Sequence, residues 1–156
     1  MSTVFAKPAT VRGDWVLVEG QGSLDHPAYS SVTLGLMHGT TPHAMILVHK
    51  PGMADHDFEH LPDRRFPIAP LSPFIRIHEE VAALVAPSKV VAVALNTSLI
   101  PDEAEAHRAI EAIAAETGLP TADPVRFGGE TLWPQIESAV EALPWVEPPS
   151  AAEAPR

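Results

Sequence analysis

Three short runs rich in Val, Leu, Ile and Ala punctuate this chain at intervals too long for hairpins: Trp15 to Glu19, Ala44 to His49 and Lys89 to Asn96. Runs of that length, bounded by turn residues, suit strands covered on both faces, as in a parallel sheet. The segments between them have room for the crossovers that parallel pairing requires. They therefore predict an α/β chain, a three-layer sandwich around a mainly parallel sheet. The first run ends in a carboxylate, Glu19, and a glycine loop follows: Gly20, Gln21, Gly22, Ser23. In open α/β sheets ligands bind outside the carboxyl ends of the strands, so Glu19 is placed for chemistry.

Between the runs the periodicity changes to that of helices. Tyr29 to His38 can form a short helix ending at Gly39, where a left-handed cap is favoured. Ser72-Pro73 reads as an N-cap and a first-turn proline, with Phe74, Ile77, Val81 and Leu84 on the buried face of a helix from Pro73 to about Val85. Pro101-Asp102-Glu103 opens a further helix, buried through Ala106, Ile110 and Ile113 and stopping at Gly118. Leu132, Ile136, Val140 and Leu143 mark a last one, whose start Pro134 constrains. Asp55 to Pro70 reads as an extended surface loop, either a lid or disordered. The expected organisation is an N-terminal extension over 1–13, one domain over 14–143 and a disordered tail over 144–156.

Charge and composition exclude several functions. The 156 residues carry a net charge of -10, and Arg64-Arg65 is the one adjacent basic pair. No footprint for nucleic acid or an anionic membrane is visible. No apolar stretch reaches the roughly 20 residues of a membrane helix, and Met1 to Thr10 has no signal-peptide core. Cysteine is absent, which removes disulfides, thiolate metal sites and a Cys nucleophile, and fits a cytoplasmic protein.

Glu19 could coordinate a hydrated magnesium ion together with substrate phosphates, or simply cap the glycine turn. Gly20 and Gly22 allow close ligand approach or positive φ, while Gln21 and Ser23 offer neutral donors. A phosphate-cradling loop of the form Gly-x-x-x-x-Gly-Lys is missing, since none of Lys7, Lys50 and Lys89 follows a glycine. The eight histidines show no metal-binding spacing, and His56 and His60 lie in a proline-flanked loop. His26 and His49 follow predicted strands on the Glu19 edge, where either could act as general base or merely order its loop. Asn96, Thr97 and Ser98 could recognise a nucleotide base, an amide or a carboxylate, and are equally common turn formers. Asp123 and Arg126 emerge from a short extended segment, where the arginine could clamp a carboxylate or phosphate, or pair with the acid.

The stretch from Val18 to Gly39, Val-Glu-Gly-Gln-Gly-Ser-Leu-Asp-His-Pro-Ala-Tyr-Ser-Ser-Val-Thr-Leu-Gly-Leu-Met-His-Gly, is more specific than any of its parts. It resembles the C-terminal, P-loop-like domain of the D-glutamate N-acetyltransferase family. The likeness continues through Ala44 to Gly52, Val90 to Ser98 and Thr117 to Gly128, covering about Asp14 to Leu143. That domain in turn resembles dethiobiotin synthetase, which has a similar Val-Glu-Gly-Ala-Gly segment. Family members carry a further N-terminal domain and the phosphate-binding loop ahead of the glycine segment, and Met53 stands where a polar residue is expected.

The resemblance implies acetyl transfer from acetyl-CoA to the amino group of D-glutamate or a related D-amino acid, on a chain holding part of the site. It places Glu19 and its glycines at a ligand site, with Glu19 a candidate catalytic residue, and acetyl transfer would then need a histidine base such as His26 or His49. Cofactor contacts would come from Gly20, Gln21, Gly22, Ser23, Asn96 and Thr97, and substrate contacts from Tyr29, Asp123 and Arg126. Magnesium at Glu19, or a bound nucleotide, would fit the P-loop-like fold. The missing half would come from a separate chain, and an exposed sheet edge would favour homo-oligomers. The alternative is a non-catalytic subunit or remnant that binds a nucleotide or a partner.

Overall fold

A computed structural model of the chain describes the backbone of residues 2–6 and all atoms of 15–56 and 63–144. Among the described residues five strands and four helices follow in the order β1 (Ser2–Ala6), β2 (Val16–Glu19), α1 (Ser30–Thr40), β3 (Ala44–His49), α2 (Leu71–Ala82), β4 (Lys89–Leu95), α3 (Glu103–Thr117), β5 (Thr121–Ala122) and α4 (Trp133–Glu141). The sheet order is β2-β1-β3-β4-β5. β3, β4 and β5 are parallel, giving the expected α/β architecture. β1 is antiparallel to both β2 and β3, so β2 points the same way as β3 without touching it. The carboxyl ends of β2, β3, β4 and β5 therefore share one edge.

Residues 2–6, assigned from the sequence to an N-terminal extension, thus lie inside the sheet. Their insertion leaves β2 outermost, which corrects the expectation that the Trp15 run is buried on both faces: Leu17 is 58% exposed. Residues beyond Pro144, including the expected tail, lie outside the described residues.

The pleat sends alternate residues of β3 to opposite faces. Met45 and Leu47 pack with Met37, Leu71, Phe74, Ala82 and Ile113 beneath α1, α2 and α3. Ala44 and Ile46 pack with Leu132 and Ile136 of the α4 side. Because both faces are covered, the strand reads as a continuous apolar run. A bulge resets β4: Met45 pairs with Val90 but Ile46 with Ala92, so the extra residue, Val91, joins Ala92 on the α4 side.

The helices form close to where the sequence places them. α3 stops as expected on Gly118, left-handed at φ 69°, while Asp102, expected in its first turn, is instead its N-cap, with Oδ1 accepting the Glu105 amide at 2.7 Å. α1 runs past Gly39 and ends on Thr41, itself left-handed at φ 43°. α2 starts at Leu71 with Pro73 in its first turn, so Ser72 is not an N-cap; its hydroxyl donates to the Glu116 carbonyl at 3.2 Å. The buried face of α2 also differs from expectation. Phe74 is buried as expected and Val81 packs partly buried against the core, but Leu71, His78 and Ala82 complete the buried face, Ile77 is exposed and Leu84 lies beyond the helix end.

Candidate functional site

Leaving β2, the chain turns tightly over the carboxyl edge of the sheet. Gly22 adopts φ 63°, and a Cβ there would lie 2.3 Å from that of Tyr29, so no side chain fits. The Gln21 carbonyl accepts the Thr33 hydroxyl of α1, fixing the loop to the helix. A backbone bond from the His26 amide to the Ser23 carbonyl (3.1 Å) closes the turn.

Asp25 sits at the centre of this turn. Its Oδ1 accepts the Ser23 hydroxyl at 2.5 Å and lies 2.9 Å from His56 Nε2; its Oδ2 accepts the Ala69 amide at 3.0 Å. Burial alone would raise the Asp25 carboxyl, but the Ala69, Ser23 and His56 contacts together hold it below the ordinary carboxylate range. The His26 ring stacks obliquely on Tyr29 (4.6 Å between centroids) and meets His56 edge-on at 5.1 Å. Its Nδ1 accepts the Ala28 amide at 3.1 Å.

His56 and Ala69 come from the two ends of the segment read as a surface loop. The described ends are paired: the His56 amide donates to the Phe66 carbonyl at 2.8 Å and the Ile68 amide to the Ala54 carbonyl at 3.0 Å. Residues 57–62, with His60, lie outside the described residues. Rather than a free loop, the described ends form one wall of a cavity of about 190 Å³, lined also by Gly22, Ser23, His26, His49 and Met53. Burial lowers the pKa of His49, partly opposed by Glu116, so its imidazole is neutral near pH 7.

A second polar cluster stands farther along the same edge. Asp123 Oδ2 accepts both the Thr97 amide (2.8 Å) and hydroxyl (2.7 Å), and Oδ1 accepts the amides of Val125 and Arg126. Burial opposes ionisation of Asp123, and these bonds outweigh it, keeping the carboxyl below its usual range. The Arg126 guanidinium donates to the Ile100 and Pro101 carbonyls at 2.6 and 2.8 Å and lies over Phe127. Asn96 Oδ1 caps its own turn through the Ser98 amide.

The fold thus brings Gly22, Ser23, His26 and His49 around one cavity and stacks Tyr29 beside it. Asn96, Thr97, Asp123 and Arg126 form the separate cluster, where the bonds above tie the loop after β4 to the segment after β5. Glu19 is exposed at the end of β2 and does not line the cavity. Among the described residues no group of three or more His, Asp or Glu side chains could hold a metal ion. Sequence reasoning missed Asp25 and His56. Asp25 was legible as the acid inside Ser-Leu-Asp-His, whereas His56 joins it only through the fold of a proline-rich segment.

Residues 3–133 match a family model described as a domain of unknown function, the DUF1611 C-terminal P-loop domain. The chain is 36% identical over 137 residues to a D-glutamate N-acetyltransferase from Tritonibacter scottomollicae, covering 84% of this chain and 38% of that protein. It is 33% identical over 119 residues to a D-glutamate N-acetyltransferase from a Pseudoalteromonas species, covering 76% and 34%. A crystal structure of a DUF1611 family protein from Anabaena variabilis superposes with a TM-score of 0.67 at 41% identity, covering 77% of this chain and 34% of that one. The chain spans 34–38% of the length of these relatives.

Proposed function

The chain belongs to the DUF1611 C-terminal P-loop domain family, and from that premise we propose that it forms part of an N-acetyltransferase site acting on D-glutamate or a related D-amino acid, with acetyl-CoA as donor. The observation that carries this reading is the set of imidazoles, His26, His49 and His56, around one small cavity at the carboxyl edge of the sheet. Its chain is 33–36% identical to two proteins named for that activity.

Acetyl transfer needs a deprotonated amine, a polarised thioester carbonyl and both held within reach of each other. The imidazoles supply basic nitrogen, and the Gly20 to Ser23 loop supplies donors for a developing oxyanion. Tyr29 beside His26 offers a hydroxyl and a flat apolar face to the acceptor. In this reading Asn96, Thr97, Asp123 and Arg126 remain a separate cluster that fixes the segments after β4 and β5 at the same sheet edge. Coverage of 34–38% of the relatives favours a site completed by further polypeptide, from a longer chain or a separate one.

The test is thiol release from acetyl-CoA in the presence of D-glutamate, measured for this chain alone and together with the N-terminal region of a D-glutamate N-acetyltransferase relative. Acceptor-dependent release in the mixture is expected. Absence of release in both samples removes the acetyl-transfer reading and leaves a non-catalytic binding subunit.

A further inference from the structure

Building on the acetyl-transfer reading, we propose that His56, oriented by Asp25, is the general base of the site. The argument turns on which nitrogen of each imidazole holds a lone pair. His26 Nδ1 accepts the Ala28 amide at 3.1 Å, so its lone pair is engaged and a neutral His26 carries its hydrogen on Nε2. Neither nitrogen of that neutral ring is then open to an incoming proton. His26 is better suited to donate a hydrogen bond than to act as a base.

His56 is held in the complementary state. Its buried Nε2 lies 2.9 Å from Asp25 Oδ1 without an aligned hydrogen bond; a lone pair that close to an ionised carboxylate is repelled, so the hydrogen belongs on Nε2 and the lone pair on Nδ1. Asp25 is itself fixed by the Ser23 hydroxyl and the Ala69 amide, which leaves the carboxylate little freedom to turn away. The His56 side chain is 11% exposed and lines the cavity. His49 borders the same cavity, but no ion pair among the described residues selects its tautomer. A base beside an orienting carboxylate, in the wall of a cavity of about 190 Å³, is the kind of arrangement that activates a nucleophile.

In the step itself the amine nitrogen forms a bond to the acetyl carbonyl carbon while His56 Nδ1 takes the proton that nitrogen loses. The positive charge then on the imidazole faces the Asp25 carboxylate. As the C–S bond breaks, its electron pair leaves on the thiolate sulfur, which takes the proton back from His56. Asp25 is a positioning residue and His56 the catalytic one.

Two measurements test the assignment. Long-range proton–nitrogen correlation spectra of the uniformly labelled chain at neutral pH should show His56 protonated on Nε2 and bare on Nδ1, with the preference weakened in Asp25→Asn. A His56 protonated on Nδ1 in the unaltered chain overturns the proposal without any variant having to fold. In the thiol-release assay, His56→Gln should lower kcat by about 100- to 10,000-fold with KM changed by less than about 3-fold. An active wild type whose His56→Gln variant retains its kcat overturns His56 alone. A wild type inactive with and without the complementing region removes the acetyl-transfer reading, and the base role falls with it.

Discussion

His78 shows at the residue scale what burial does to a side chain chosen for another neighbourhood. It is 1% exposed in α2, its ring edge-on to Phe74 at 4.4 Å, with Nδ1 against the Phe74 carbonyl at 2.9 Å. Its Nε2 is buried without a hydrogen-bond partner. Burial lowers its pKa, partly opposed by the Phe74 carbonyl and by Asp25. The unfolded chain takes up a proton on this residue near pH 6.5, while the folded chain does so only at lower pH. Within that window the unfolded state binds more protons, so stability falls as pH falls. The thermal midpoint should drop between pH 7.5 and 5.5, and His78→Leu should show a smaller drop; equal drops would show that His78 does not titrate in folding. His49 acts in the same direction, so the loss should shrink rather than vanish. Asp25 and Asp123 have depressed pKa values, so their contributions stay intact across this range and disappear only in stronger acid. The sequence marks His78 as one histidine among eight and says nothing of its burial.

Elements divide by how local their causes are. α3 is specified within a few residues: an acid cap, Glu103 and Glu105 in the first turn, and a glycine that can adopt positive φ at the end. Asp102→Ala should cost about 1 kcal/mol in urea unfolding, as a shifted midpoint with an unchanged slope. A midpoint that does not move would mean the helix end is held by packing alone. α2 is specified less locally. Its apolar positions include Ile77 on the expected stripe, yet the core takes up His78 and Ala82 beside Phe74, leaving Ile77 43% exposed. Spacing fixes the period of a helix, and only the opposing surface fixes its rotation. The segment over 55–70 is similar: its prolines and charges read as a loop, while pairing between its ends sets His56 and Ala69 against Asp25.

At the scale of the molecule, the outer strand and the helix after it remain incompletely covered. β2 is outermost with Leu17 58% exposed, and Val32 and Leu34 of α1 are 46% and 36% exposed. An outer strand with apolar side chains and open backbone groups tends to pair with another chain. The chain should therefore self-associate in sedimentation experiments at micromolar concentration, and Leu17→Lys should shift it toward monomer. A wild type that sediments as a monomer throughout would remove this expectation. Among the described residues no helix is long and apolar enough to cross a membrane.

The sequence alone determined the alternation of strand and helix, the covered β3 and β4, the ends of α3 and the glycine turn at Gly22. These depend on periodicity and on backbone conformations that few residues can adopt, and both are written locally. Tertiary structure decided the place of residues 2–6 inside the sheet, the rotation of α2, and the separation of Glu19 and Arg126 from the imidazole cavity. It also decided the meeting of Asp25 with His56, more than 30 residues apart in the chain. Such a contact follows from how two loops cross one sheet edge, and no spacing along the chain encodes that crossing.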